Sequence, residues 1–153
     1  MPANSWKLPP GLNNVGSFQV SGKPYASGSC LAPISGSGRS LVLRFPTVTK
    51  WFQIQPHQSE ENDELRVAFS ENGLHGKGGS NFRIHASSSF TGPLDLKVSE
   101  LWFMAESNST ACTFDVVAGL TNVQVGSLYT TDRTINGVPE AAGPNWSGSI
   151  GVG

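Results

Sequence analysis

The three histidines are the first residues to test for chemistry, because imidazole is both a general base near neutral pH and a common metal ligand. His57, His75 and His85 lie in separate segments of the chain. The sequence contains no His-x-His, no His-Glu-x-x-His and no histidine beside a cysteine pair, the spacings that bring several ligands to one metal. The absence of these spacings disfavours the double-stranded β-helix enzymes that hold iron or zinc in this way. It predicts exposed or locally hydrogen-bonded histidines.

Carboxylates form one cluster, at Glu60, Glu61, Asp63 and Glu64. Acidic side chains on a loop of a β-sandwich can bind Ca²⁺, but calcium loops interleave their acids with glycine and with turns that supply carbonyl oxygens. The cluster lacks that order. It is therefore interpreted as a solvated loop, with a calcium site as the weaker alternative.

A glycine-rich stretch and a serine-rich composition offer two further catalytic patterns to test. The stretch 73–79, Gly-Leu-His-Gly-Lys-Gly-Gly, lacks the GxxxxGK[ST] order of a phosphate-binding loop and leads into a strand, so it is read as a mobile loop. No Gly-x-Ser-x-Gly elbow is present for a serine nucleophile. The sequence thus predicts no enzyme, with no catalytic, cofactor-binding or metal-binding residues.

Tryptophans could bind sugars by stacking if they were exposed together. Trp51 and Trp102 lie in strong strand segments, where packing in the core or against another subunit is the more frequent outcome. Trp146 lies near the end of the chain, in a stretch with little charge.

Apolar and polar residues alternate with a period of two in most segments that contain or flank these candidate residues. In 64–70, Leu65, Val67 and Phe69 fall on one face of a predicted strand, and Arg66, Ala68 and Ser70 fall on the other. This alternation predicts one buried and one wet face. No segment keeps a helical stripe. Roughly eight to nine strand segments at this spacing predict an all-β sandwich of two antiparallel four-stranded sheets. Further predicted core residues are Phe82, Ile84, Phe114 and Val116.

The predicted strands are separated by glycine, proline, asparagine and serine. The longest candidate, 94–103, changes the phase of its alternation near Ser99, as a β-bulge would produce. Gly22-Lys23-Pro24 is expected to end a short edge strand over 15–21. The other candidates are 41–45, 48–54, 82–86, 113–118 and 120–125.

Composition bounds the class of protein. A chain of 153 residues with 18 glycines, 10 prolines and only 14% charged residues is one turn-rich domain. The formal net charge of −1 provides no field to attract nucleic acid or anionic lipid. Cys30 and Cys112 are predicted to be reduced thiols rather than a disulfide.

The two ends differ from the middle. Residues 1–14 are predicted to be an N-terminal arm, 15–142 the domain and 143–153 a C-terminal tail. Both ends combine a few large apolar residues with Gly and Pro that cannot form an amphipathic element, so contact with neighbouring subunits is expected to order them. No signal-peptide pattern opens the sequence and no apolar run is long enough to span a bilayer, so neither secretion nor membrane insertion is expected.

Several stretches together resemble one protein family, the small penton, or vertex, proteins of large icosahedral double-stranded DNA viruses. The resemblance covers most of the chain and rests on structural motifs rather than on catalytic ones. The stretches are 12–24 (LNNVGSFQVSGKP), 45–51 (FPTVTKW), 67–73 (VAFSENG), 94–103 (LDLKVSELWF) and 117–121 (VAGLT).

The resemblance implies a single jelly roll, five copies of which close each five-fold vertex of a virion assembled in the host cell. The implied partners are four further copies of the chain, the neighbouring double-jelly-roll major capsid proteins and minor capsid proteins. It implies no cofactor, no direct contact with nucleic acid and no membrane insertion. A carbohydrate-binding β-sandwich module is the alternative, and a trimeric spike or fibre-tip protein is the third reading.

Overall fold

The computed structural model describes residues 22–57, 64–76, 79–85 and 92–125, together with the backbone of 134–135 and 138–139. The predicted arm over 1–14 and tail over 143–153 lie outside these residues. Seven strands form the body of the described fold, namely β1 (Lys23–Ala32), β2 (Leu41–Arg44), β3 (Thr47–Pro56), β4 (Glu64–Ala68), β5 (Asn81–His85), β6 (Glu100–Ala105) and β7 (Cys112–Gln124). A one-turn helix, α1 (Glu71–Leu74), follows β4, and a short hairpin joins β8 (Thr134–Ile135) to β9 (Val138–Pro139).

The seven strands form two antiparallel sheets. The four-stranded sheet has the order β2-β6-β4-β5, and the three-stranded sheet has the order β1-β7-β3. The segment before β6 extends the three-stranded sheet, because Leu94 exchanges two backbone hydrogen bonds with Phe52 on β3. With this segment as the eighth strand position, the two sheets have the strand order of a jelly roll.

The prediction of an all-β jelly-roll sandwich is confirmed, with one difference in strand count. The four-stranded sheet is as expected, whereas the other sheet has three full strands and a segment that makes only one ladder bridge. Pro93 precedes that bridge and has no N–H to donate, which shortens the pairing at this edge.

The phase change predicted near Ser99 marks a crossing between the sheets rather than a bulge within one strand. The backbone N–H of Thr49 donates to the carbonyl of Val98 in the three-stranded sheet, and from Glu100 onward the chain pairs with β2 and β4 in the other sheet. Leu101 and Phe103 therefore face the core from the opposite side.

Two strand boundaries differ from the sequence expectations. The segment 22–24 was expected to end a strand, but β1 begins at Lys23 and contains Pro24. An edge strand tolerates proline because its loss of a ladder bond is local. The segments 113–118 and 120–125 form one strand, because Gly119 continues the ladder between Pro24 and Trp51. The edge strand expected over 15–21 lies outside the described residues.

The core lies between the sheets and contains five of the seven core residues predicted from the alternation. Leu65, Val67, Ile84, Phe114 and Val116 are buried. The other two, Phe69 and Phe82, are partly buried and pack against the same cluster. Across the sandwich, the rings of Phe103 and Phe114 lie with centroids 4.4 Å apart. Cys30 is partly buried and Cys112 is buried, and both occur as thiols.

Candidate functional site

The outer face of the four-stranded sheet is covered by the chain itself. The prediction of a wet face at Arg66, Ala68 and Ser70 is therefore wrong for two of these residues, because Ala68 and Ser70 are fully buried. Ser70 caps α1 by accepting a hydrogen bond from the backbone N–H of Gly73, 3.0 Å away. This turn places Leu74 over the sheet, where it completes a second apolar cluster with Ala68, Trp102, Met104 and Val42. The glycine-rich stretch expected to be a loop thus begins with a helical turn that shields this face.

Ion pairs cover the rest of the same face. Arg66 binds both carboxylate oxygens of Glu106 through the Nε–Nη2 edge of its guanidinium, with Nε–Oε2 at 2.6 Å and Nη2–Oε1 at 2.5 Å. Its Nη1 donates to the carbonyl of Leu74. Arg83 Nη2 lies 3.2 Å from Glu106 Oε1, and Arg83 Nε lies 3.8 Å from Glu64 Oε2. We call this charged and helix-covered surface the covered face.

The outer face of the three-stranded sheet has a different character, and we call it the open face. Its outward side chains include Leu31 and Val117, which are 59% and 44% exposed. Ala26 and Gln53 lie opposite Val117 on the two flanking strands. Among the described residues, the only α-helix packs against β4 and β6 and leaves this face uncovered. Leu31 lies opposite Thr113, four residues along β7 from Val117. They are two separate exposed apolar positions, whereas a contiguous apolar patch is what marks an interaction surface.

A concave site of about 190 Å³ lies at one edge of the open face and is lined by Trp51, Gln53, Pro93 and Asp95. The register explains how Trp51 is held there, since its partner across the ladder is Gly119, which has no side chain to occupy the adjacent space. Trp51 is partly buried, and Pro93 and Asp95 are exposed. The site therefore combines one indole with an amide and a carboxylate.

A contact between a histidine and a carboxylate lies at another part of the open face. His57 Nε2 lies 2.6 Å from Asp115 Oδ2, and the backbone N–H of Ser29 donates to Asp115 Oδ1 over 2.7 Å. The hydrogen bond from Ser29, and then the contact with His57, hold the pKa of the Asp115 carboxyl below its usual value. The bulge between Ser27 and Cys30 gives Ser29 a φ of 55° and directs its N–H at the carboxylate.

The histidines and acids considered from the sequence are dispersed. His57 and His85 are exposed, and each lies within ion-pair distance of one carboxylate, Asp115 and Glu64 respectively. His75 is exposed at the end of α1. No three His, Cys, Asp or Glu side chains of the described residues could hold a metal together. Of the acidic cluster, 60, 61 and 63 lie outside the described residues.

Two of the three tryptophans considered for stacking occupy opposite faces. Trp102 is buried on the covered face and donates from Nε1 to Glu100 Oε1 over 3.0 Å, as its place in a strong strand suggested. Trp51 lies on the open face, and Trp146 lies outside the described residues.

The sequence analysis did not predict the contacts of Asp115 with Ser29 and His57. Both residues are far from Asp115 in sequence, and no local spacing signals a bulge in β1.

Within the described ranges, no helix has the length and apolar character needed to cross a bilayer. No protein-family model and no curated protein matches the sequence.

Proposed function

We propose that the chain is a structural capsid protein, a penton whose pentamer closes the five-fold vertices of a large DNA virus. The observation that carries the proposal is the contrast between a covered and an open face on a jelly roll. Jelly rolls are recurrent capsid domains. A ring of subunits also needs, on each copy, a surface that stays exposed until a neighbouring copy binds to it.

The charge distribution supports the same proposal. On the open face, the ladder partners of Val117 are the uncharged residues Ala26 and Gln53, and Asp115 Oδ2 lies 2.6 Å from His57 Nε2. The nearly neutral balance of the whole chain, −1, adds little repulsion between identical copies packed around an axis. The stretches that resemble vertex proteins include 117–121 in β7, the central strand of the sheet behind this face.

The experiment that tests the proposal is a measurement of mass for the full chain by light scattering and native mass spectrometry. We expect an oligomer with five times the 16.2 kDa mass of the chain. In Val117→Lys, a charge on the open face should abolish the pentamer, because an unpaired ammonium is costly to bury at an interface. His85→Lys, at an exposed position on the covered face, is the matched control and should leave the pentamer intact.

The other masses have distinct meanings. A trimer would favour a spike or fibre-tip protein over a penton. A monomer or dimer at all concentrations would contradict the proposal, as would a pentamer that both lysine variants form equally well.

A further inference from the structure

The concave site at Trp51 has the side chains needed to bind a small, uncharged, ring-shaped ligand. An indole face binds the C–H face of a ring by dispersion and stacking. Gln53 and Asp95 line the same concavity, and neither side chain makes a hydrogen bond to another described residue. The site thus presents an apolar platform beside polar groups that are available to a ligand.

The two polar groups complement each other. The Gln53 amide offers two N–H donors and one acceptor, whereas an ionised Asp95 carboxylate offers acceptors only. Adjacent hydroxyls, each a donor and an acceptor, can donate to the carboxylate and accept from the amide at the same time. A polyol ring satisfies both groups and the indole together, which a purely apolar ligand does not.

Size and charge narrow the ligand further. The site's volume of about 190 Å³ is below the roughly 300 Å³ at which pockets for drug-sized ligands begin, so it suits one ring rather than a long chain. A cation would pair with Asp95 but leave the N–H donors of Gln53 without an acceptor, which favours a neutral polyol over a cation. From these observations we propose that Trp51, Gln53 and Asp95 form a binding site for a single neutral saccharide ring.

This inference does not rest on the proposed capsid role. A saccharide site at the edge of the open face belongs to each single copy of the chain. Because Gln53 lies opposite Val117 on this face, an oligomer that buries the open face would compete with the sugar. Sugar binding is therefore measured at a concentration at which the chain is monomeric, and assembly is measured without sugar.

The test is titration of the full chain with the methyl glycosides of glucose, galactose, mannose and N-acetylglucosamine, followed by saturation-transfer NMR and by the indole N–H resonances. Each glycoside has about a dozen heavy atoms or a few more. At least one of the four should therefore bind the chain with a Kd on the order of 1 mM. Trp51→Ala should weaken that binding about tenfold or more, and Trp51→Phe should retain part of it.

Asp95→Asn and Gln53→Ala test the polar half of the site without removing the indole, and each should weaken binding roughly threefold to tenfold. Leu31→Ala, on the open face but two strands away from Trp51, is the control and should bind as the wild type does. Thermal melting of each variant shows that a loss of binding is not a loss of fold.

Three results would overturn the proposal. The first is that none of the glycosides binds the wild-type chain. The second is that binding persists unchanged in Trp51→Ala and Asp95→Asn. The third is that tetramethylammonium binds at Trp51 in preference to every glycoside, which would make the site a cation receptor.

Discussion

The four-stranded sheet covers its outer face with α1 and with ion pairs, whereas the three-stranded sheet leaves Leu31 and Val117 exposed on its outer face. Both sheets contribute buried residues to the core between them, so the comparison concerns their outer sides. A covered face increases the stability of one copy, because its apolar groups are already removed from water. The exposed apolar groups of an open face are removed from water only when another molecule binds there.

The two tryptophans provide the largest test of this comparison. Trp102 is buried beneath Leu74, so Trp102→Ala should lower the free energy of unfolding by about 3–5 kcal/mol through lost transfer energy and a cavity. Trp51→Ala on the open face should cost at most about 1 kcal/mol. Urea denaturation of the two variants measures both values. Equal losses would show that the open face is as important to the fold as the covered face.

The ion pairs on the covered face provide the next largest effect. Glu106→Gln leaves Arg66, whose side chain is only 15% exposed, without its carboxylate partner. We expect a loss of about 1–3 kcal/mol, since a charged group that is largely removed from water loses its bidentate partner. Arg83→Ala, at a side chain that is 53% exposed, is the control and should cost about 0–1 kcal/mol. A smaller loss for Glu106→Gln than for the control would contradict the idea that this pair stabilises the covered face.

Acid should weaken the contacts that the Asp115 carboxylate makes with Ser29 and His57 on the open face. Because the folded-state pKa of Asp115 lies below its unfolded value, these contacts stabilise the fold fully above the unfolded pKa, and this stability is lost as the pH falls through the folded pKa. Asp115→Asn should therefore lower the Tm by a small amount at pH 7, and the difference from the wild type should shrink below about pH 4. Asp95→Asn, at an exposed carboxylate with no hydrogen bond to another described residue, should change the Tm little at either pH. A difference for Asp115→Asn that persists undiminished at pH 3 would show that charge is not the cause.

The smallest effect is expected for an apolar residue of the open face. Val117→Ala should change the free energy of unfolding by no more than about 0.5 kcal/mol, because the side chain is already 44% exposed in the single copy. Val116→Ala is the matched control one residue away, where the same truncation in the core should cost about 1–3 kcal/mol. Chemical denaturation at low protein concentration distinguishes them. Similar losses would mean that Val117 is supported by contacts that its exposure does not reveal.

Local alternation predicted the core and the fold class, because a half-buried strand repeats its apolar residues at every second position. Leu65 and Val67 illustrate this, since each is buried as its parity requires. Phe69 and Phe82 are less buried because they lie where β4 ends and β5 begins, near the rim of the sandwich. Where the alternation failed, at Gly119 and at Pro24, the pairing of β7 with both its neighbours continued the strand through residues that usually interrupt one.

The sites were less accessible from the sequence than the fold. Trp51 and Asp95 approach each other only because the segment before β6 pairs with β3 at Phe52 and Leu94. Asp115 meets Ser29 only because β1 contains a bulge. Both contacts depend on strand register between distant parts of the chain, which residue spacing alone does not contain.

The central position of β7 has a consequence for how the protein is synthesised. Lys23 on β1 pairs with Leu120 on β7, and β3 pairs with the same strand, so the three-stranded sheet cannot close until β7 has left the ribosome. Until then β1 and β3 expose unpaired backbone groups that could pair with other chains. Folding dominated by such distant pairings is expected to take milliseconds to seconds. Nascent chains translated from the same mRNA should therefore be most prone to aggregation just before β7 emerges from the ribosome.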